Sequence, residues 1–353
     1  MKRLLATLLT LALLGLVPVG TTSTSPVASA AADAAPDTKF RTRVFSLVPA
    51  PGRPAYTHVG SNGRVYAGTY VTPGDRRRSR VFEWRRDGTL LRSWTVPGQR
   101  LDGTQGVQVA QQTRDGKLVL LETSTRSLMT LDITNGKFRR IATFPAGAVP
   151  NYATWGPRHL FVTDYANGVV YRVFQTGTVQ RWFTSPALEG VDSFGTTGIV
   201  YRKRQGDFLI TQQTVSDGSA APTNGKLYSL PIARGRPGTI RTLWTSLPTD
   251  LPDGFGIGRS GRIYIANAGL TAQLVELSPS GVELDRFPDA PGSGDNGSPV
   301  PFDTPCSATF LGTKVLVANQ SAVAGDPSHQ AILSVEVGER GLTPHLPDSA
   351  FYR

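Results

Sequence analysis

The chain has 353 residues, with 37 Lys and Arg against 26 Asp and Glu, and a formal net charge of +11. A single cysteine, Cys306, excludes an intramolecular disulfide, so stability must come from a hydrophobic core. The basic residues are scattered through short turns and strands, without a basic helix or an aromatic-basic platform, and this argues against nucleic acid as a partner.

The first residues are typical of a secretory signal. The segment opens MKRLLATLLTLALLGLVPVG, with two basic residues before an apolar stretch, and reaches the small tripeptide Ala28-Ser29-Ala30. We therefore expect a signal peptide over 1–30, a flexible leader over 31–39 and a secreted, monomeric mature protein. No later segment is long and apolar enough to span a bilayer, which predicts no membrane association after signal cleavage; an uncleaved anchor is the alternative.

Six runs of β-branched and aromatic residues recur along the rest of the chain. In order they read GRVYAGTY (63–70), GKLVLLET (116–123), HLFVTDYA (159–166), DFLITQQT (207–214), GRIYIANA (261–268) and TKVLVANQ (313–320). Further strand-like runs follow each of them, and the units open near positions 55, 105, 151, 197, 253 and 304, which are 46 to 56 residues apart. Such a period, with about four strands per unit, is typical of β-propeller blades.

The last unit lacks a full outer strand, whereas the start of the mature chain carries one in excess. KFRTRVFSLVP at 39–49 closely matches KFRRIATFP at 137–145, which is the outer strand of the second unit. The sequence therefore predicts an all-β fold, a six-bladed β-propeller over 40–350 whose last blade is closed by an N-terminal strand. Two stacked β-sandwiches are the alternative, but they would need neither the even period nor the displaced strand.

In a propeller, the residues that open the innermost strands meet at one end of the central channel. Here the segments that enter these strands carry Asp102, Gln105, Asn151, Glu189, Asp192, Asp250, Asp253, Asn296 and Asp303. Clustered hard oxygen atoms suit calcium, which takes about 6–8 of them. The scarcity of histidine and cysteine in the same segments argues against zinc.

Two blades carry a family resemblance. PDGFGIGRSGRIYIANAG (252–269) and PNYATWGPRHLFVTDYANGVVYRV (150–173) resemble blades of the SMP-30/gluconolactonase-like family, six-bladed propellers related to strictosidine synthase-like and paraoxonase-like proteins. The resemblance implies Ca²⁺, or another divalent cation, at the channel mouth, held by a glutamate of the first blade, asparagines of the third and fourth, and the Pro-Asp-Gly aspartate of the fifth. The cation would polarise a lactone or ester carbonyl while a carboxylate activates water.

Carried over by position, Asn151 and Asp253 match two of the metal ligands, and Asp253 or a neighbouring acid is the catalytic base. Thr197 stands at the fourth-blade asparagine, and Ala55 or its neighbours stand at the first-blade glutamate. Either Asp102, Asp192 or Asp303 rebuilds the site, or metal binding is weak or absent.

The expected function is an exported, metal-dependent hydrolase of a small-molecule lactone or ester. The alternative is a non-catalytic propeller that binds a sugar, peptide or protein through its mouth loops. His58 could replace the missing glutamate as a base, with a packed strand histidine as the alternative. Cys306 is expected to be a buried small hydrophobe.

Overall fold

A computed structural model describes residues 39–71, 74–215 and 223–353. The predicted signal peptide and nearly all of the predicted leader lie outside the described residues. No α-helix occurs within the described ranges, and consequently no helix there is long and apolar enough to cross a membrane.

The described strands form six antiparallel sheets, which confirms the six-bladed propeller. Blade 1 contains β2 (Arg53–Val59), β3 (Val65–Tyr70), β4 (Arg80–Trp84) and β5 (Leu90–Thr95). Blade 2 contains β6 (Val107–Gln112), β7 (Leu118–Glu122), β8 (Ser127–Asp132) and β9 (Lys137–Thr143). Blade 3 contains β10 (Pro150–Trp155), β11 (Leu160–Asp164), β12 (Val169–Val173) and β13 (Val179–Thr184).

Blades 4 to 6 repeat this order. Blade 4 contains β14 (Thr196–Arg202), β15 (Asp207–Gln212), β16 (Asn224–Ala233) and β18 (Arg241–Pro248), and a short β17 (Arg236–Pro237) pairs with the end of β16. Blade 5 contains β19 (Pro252–Ile257), β20 (Ile263–Asn267), β21 (Gln273–Leu277) and β22 (Glu283–Phe287). Blade 6 contains β23 (Pro305–Leu311), β24 (Lys314–Asn319), β25 (Ala331–Glu336) and, on its outside, β1 (Thr42–Leu47).

The N-terminal strand closes the ring as predicted. β1 lies antiparallel to β25, with Thr42 opposite Val335 and Leu47 opposite Ala331. This pairing covers the edge that β25 would otherwise leave open. Just before β1, the ring of Phe40 stacks on Phe287 of blade 5 with centroids 5.0 Å apart, so the same segment also packs blade 6 against its neighbour.

Burial follows position within a blade. The innermost and second strands are almost entirely buried, whereas the outermost strands β5, β9 and β22 are largely exposed. Apolar side chains of adjacent blades interdigitate; Val81 of blade 1, for example, shares a buried cluster with Val107 and Leu131 of blade 2. The core therefore lies between neighbouring blades.

Strand direction gives the ring two distinct faces. We call the end at which the innermost strands begin the mouth face and the opposite end the base face. Because strands alternate in direction, the turns after the first and third strands of each blade lie on the base face. Residues 338–353, which we call the base segment, cross this face: Gly341 pairs with Gly258 of blade 5, and the Arg114 N–H of blade 2 donates to the Ala350 carbonyl at 2.7 Å.

Candidate active site at the channel mouth

β-Bulges shape the mouth. The innermost strands of blades 1, 3, 4, 5 and 6 each shift register near their mouth ends. A bulge bends its strand locally and re-aims the side chains beside it. The residues within these irregular stretches are Tyr56, Asn151, Tyr152, Thr197, Gly198, Asp253, Gly254 and Cys306. Side chains from distant parts of the chain are thereby brought together at one level.

Asp253, Tyr56 and Asn151 meet at this level, from blades 5, 1 and 3. The Tyr56 hydroxyl donates a short hydrogen bond to Asp253 Oδ1 and lies 3.5 Å from Asn151 Oδ1. Gln213 Nε2 donates to Asp253 Oδ2 at 3.3 Å. The structure thus brings the two residues singled out by the sequence, Asn151 and Asp253, to either side of a tyrosine.

Gly254 permits this approach. A Cβ at this position would lie 2.5 Å from the Tyr56 ring and 2.9 Å from the Cys306 carbonyl oxygen, both closer than side-chain atoms tolerate. The glycine of the Pro-Asp-Gly corner is therefore required for the innermost strands of blades 5, 6 and 1 to pack at this point.

The Asp253 carboxyl is nearly buried, with only 8% of the residue exposed. Loss of hydration disfavours the charged form and raises its pKa from 3.8 to about 7, against the opposing hydrogen bonds from Tyr56, the Gly254 N–H and Gln213. Burial also raises the pKa of Tyr56 well above its usual value, so its hydroxyl keeps its proton and remains the donor. Near neutral pH, Asp253 therefore exists in both protonation states.

Aromatic and amide groups surround this carboxyl. The Tyr152 ring stacks on Tyr56 with centroids 4.1 Å apart. The Tyr165 hydroxyl donates to Gln213 Oε1 at 2.5 Å, which orients the amide that reaches Asp253. Burial raises the pKa of Tyr152 and Tyr165, so both remain neutral. The site is consequently a single titrating carboxyl among neutral hydrogen-bonding groups.

Several other acids of the mouth segments have structural partners of their own, whereas Glu189 and Asp192 are exposed. Asp250 is fully buried, and its Oδ2 accepts from Arg286 Nη2 at 2.9 Å. Asp303 Oδ2 accepts from the Ser321 hydroxyl at 2.5 Å. Asp102 is exposed and pairs with Arg100 at 3.0 Å. Across the described part of the chain, no three His, Cys, Asp or Glu side chains are grouped so as to hold a metal ion.

The residues present do not fit a calcium site of the kind the resemblance implies. Ala55 has no ligand atom, and the Thr197 hydroxyl is committed to the channel wall, 3.1 Å from the Pro252 carbonyl oxygen. Asn151 and Asp253 remain, and the Tyr56 hydroxyl already lies within hydrogen-bonding distance of both. One carboxylate and one amide fall well short of the about 6–8 oxygens, several of them charged, that calcium requires.

His58 and Cys306 lie outside this chemistry. His58 is buried, with Nε2 3.4 Å from Gln112 Oε1, and burial lowers its pKa to about 4, so it is a neutral packed histidine. Cys306 is buried with its Sγ 3.6 Å from the Pro54 carbonyl oxygen, as expected for a small hydrophobe. Tyr56 is a residue of this site that the sequence did not reveal, although it directly follows Ala55, the position of the expected first-blade ligand.

These features define a six-bladed β-propeller with a buried carboxyl at one end of its channel. No family profile and no curated protein sequence matches the chain, but solved structures do. Regucalcin from Agrobacterium tumefaciens, described as a calcium-binding protein, superposes with a TM-score of 0.61 at 15% identity over 86% of this chain and 96% of that one.

Two further solved structures extend the comparison. A gluconolactonase from Xanthomonas campestris has a TM-score of 0.58 at 15% identity, over 87% of this chain and 93% of its own. Virginiamycin B lyase from Staphylococcus aureus has a TM-score of 0.54 at 15% identity, over 82% of each chain. These likenesses confirm the fold that the resemblance to the SMP-30/gluconolactonase-like family implies.

Proposed function

We propose that this protein is a hydrolase of a lactone or similar small ester, and that Asp253 is its general base. The observation that carries the proposal is the nearly buried Asp253 carboxyl, held by Tyr56 and Gln213 at the point where three blades converge, where burial raises its pKa to about 7. A base is most effective when its pKa lies near the working pH, and burial has moved this carboxyl there. The likeness of the fold to a gluconolactonase supports the choice of reaction class.

In this reaction the ionised Asp253 takes a proton from a water molecule as the water oxygen bonds to the substrate carbonyl carbon. The proton then passes to the leaving alkoxide as the acyl C–O bond breaks, which regenerates the carboxylate and yields an acid and an alcohol. Tyr56, the Gly254 N–H and Gln213 fix the carboxylate orientation, and these three hydrogen bonds leave one of the four carboxylate lone pairs for the water. Asn151 Nδ2, which donates to none of the described residues, would stabilise the developing oxyanion.

The test is hydrolysis of a panel of aliphatic lactones and aryl esters by wild type and two matched variants. Asp253→Asn removes the base and should lower kcat by roughly 10²- to 10⁴-fold. Asp192→Asn removes the same charge from an exposed position on the mouth rim and should retain activity. Full activity in Asp253→Asn would refute the role. Ligand binding without turnover in wild type would support the non-catalytic alternative instead.

We propose that this chemistry proceeds without calcium, because Asn151 and Asp253 supply only one amide and one carboxylate, and the Tyr56 hydroxyl already contacts both. The structural likeness to regucalcin favours the alternative that the hydrolase depends on calcium. A calcium titration distinguishes the two hypotheses, because bound calcium would raise the melting temperature by mass action.

We further propose that the protein is exported. The basis is the predicted signal peptide over 1–30, and the intact mass of protein recovered from the culture medium should correspond to a chain that begins near residue 31. An intact mass that includes the first 30 residues would contradict export by cleavage.

A further inference from the structure

Many of the basic residues that look scattered in the sequence lie on one face of the fold. RRDG (85–88), RDG (114–116), the Lys203-Arg204 pair and GRSGR (258–262) all occupy turns that follow the first or third strand of a blade. Propeller topology places every such turn on the base face. The exposed basic residues of these turns and of the base segment are Arg85, Arg86, Arg114, Arg158, Lys203, Arg204, Arg234, Arg236, Arg259, Arg262, Arg340 and Arg353.

Few exposed negative charges balance them, although Arg262 pairs with the buried Glu276 at 2.7 Å. The exposed acids in the same described turns and in the base segment are Asp87, Asp115 and Asp348. The described loops of the mouth face are mixed: their exposed basic residues Arg76, Arg77, Arg78 and Arg100 are offset by the exposed acids Asp102, Glu189, Asp192, Asp289 and Asp295. Between the two faces, the positive charge therefore lies on the base face, while exposed basic residues of the outer strands, such as Arg139 and Arg241, lie around the edge of the ring.

Three exposed apolar side chains lie among these cations, and Val282, in the turn after β21, is the most exposed at 61%. Leu342 and Phe351 of the base segment are 41% and 39% exposed. Backbone contacts fix the positions of both: the Leu342 N–H donates to the Ile257 carbonyl at 2.7 Å, and the Phe351 N–H donates to the Ser349 carbonyl at 2.8 Å. Surfaces that bind at the membrane interface typically combine basic residues with exposed leucine or phenylalanine.

We propose that the base face docks on an anionic lipid bilayer, with the channel mouth directed away from the lipid into solution. The cations come from blades 1 to 5 and from the base segment, so they are spread over a disc. A planar surface reaches all of them at once, whereas a linear polyanion such as a nucleic acid reaches only a row. Burying Leu342 and Phe351 at the boundary between lipid headgroups and acyl chains would stabilise the bound state, whereas a nucleic-acid phosphate backbone offers them no apolar contact.

This proposal replaces the expectation from the sequence that the mature protein does not associate with membranes. That expectation rested on the absence of a spanning segment, which says nothing of adsorption to a surface. The docking face is independent of the reaction at Asp253, because the two lie at opposite ends of the channel.

The test is co-sedimentation of the full chain with vesicles of phosphatidylcholine, alone or mixed with phosphatidylglycerol. Binding should require the anionic lipid and weaken as salt is added. A Lys203→Glu/Arg204→Glu variant on the base face is matched by Arg76→Glu/Arg78→Glu on the mouth face, since both lower the net charge equally. Each basic residue near an anionic bilayer contributes roughly five-fold in affinity, so the base variant should lose about 25-fold or more while the mouth variant keeps most binding.

A second pair tests the apolar contribution. Leu342→Ser on the base face and Leu270→Ser on the mouth face alter side chains that are both 41% exposed, and only the first should weaken binding to the anionic vesicles. All variants carry the same N-terminal segment, so any lipid affinity of that segment cancels in the comparison. Melting temperatures verify folding, and Arg85→Glu/Arg86→Glu in blade 1 serves if the first base variant does not fold.

Three outcomes would overturn the proposal. They are equal loss of binding in the base and mouth charge variants, equal binding to vesicles with and without phosphatidylglycerol, and binding to duplex DNA without binding to anionic vesicles.

Discussion

Replacing Asp253 with asparagine should stabilise the protein, and the gain should grow with pH. The folded pKa of about 7 lies above the ordinary 3.8, so between these values the folded state holds a proton that the unfolded state has released. Stability therefore falls as pH rises through this window, by about 1.4 kcal/mol per pH unit and about 4 kcal/mol in all. Asparagine cannot ionise and escapes this loss.

The expected difference can be worked from the contacts of the carboxyl. Linkage gives the wild type a penalty of about 2 kcal/mol at pH 5 and about 4 kcal/mol at pH 8. The new amide would still accept from Tyr56, but its Nδ2 would face the Gln213 donor, at a cost of about 1–2 kcal/mol at every pH. Asp253→Asn should thus be close to neutral at pH 5 and more stable than wild type by about 2–3 kcal/mol at pH 8.

Urea unfolding of both proteins at pH 5 and pH 8 measures this difference, with Asp192→Asn as an exposed control that should shift little at either pH. An Asp253→Asn effect that is the same at the two pH values would refute the raised pKa. A loss of stability that increases toward pH 8 would show that the ionised carboxylate is the form that the fold stabilises.

Four further predictions follow from the same structure. The wild-type kcat/KM should rise about tenfold per pH unit up to about pH 7 and level off above it, because Asp253 must be ionised to act; a flat profile over pH 5–8 would count against it. Tyr56→Phe removes a hydrogen bond that lowers the pKa of Asp253, so the midpoint of that profile should move to higher pH, and an unmoved midpoint would contradict the contact. Millimolar calcium should leave the melting temperature unchanged; a rise that Asp253→Ala abolishes would instead establish a metal site. Arg286→Leu leaves Asp250 buried without its ion pair and should lower the free energy of unfolding by roughly 3–5 kcal/mol in urea titrations, whereas a loss below about 1 kcal/mol would show that the pair contributes little.

The architecture could be predicted from the sequence because every blade of a propeller has the same pattern of buried and exposed strands. Each blade must bury two inner strands and expose an outer one, so the same alternation recurs at a nearly constant period. The closing strand was recognisable for the same reason: the segment around Thr42 matches an outer strand that blade 6 lacks and was found paired with β25. Local pattern and long-range pairing agree here, as they do in minimally frustrated sequences.

The site was only partly predictable. Asp253 and Asn151 could be placed at the mouth because they open innermost strands, but Tyr56 looks like an ordinary core aromatic in a strand. A register shift between Ala55 and Thr57 turns it toward the channel, and bulges leave no reliable mark in a single sequence. Several acids expected at the mouth instead form ion pairs or hydrogen bonds with structural partners, as Asp250 does with Arg286. These two residues are more than 30 positions apart, so residue spacing in the sequence does not predict their contact.

The clustering of basic residues on the base face could not be predicted from the sequence either. The cations of this face are distant along the chain, from Arg85 to Arg353, and occur in short separate segments. Only the alternation of strand direction assigns these turns to one side of the ring, so a surface property emerges from topology rather than from any local run.

The most direct measurement is the titration of the Asp253 carboxyl carbon by NMR in protein labelled with ¹³C-aspartate, the resonance being assigned by its absence in Asp253→Asn. A midpoint close to pH 7 is the result expected for a general base at the channel mouth. A midpoint close to pH 4 would mean that the carboxylate is fully ionised and well solvated at neutral pH, and the proposed catalytic role would lose its physical basis.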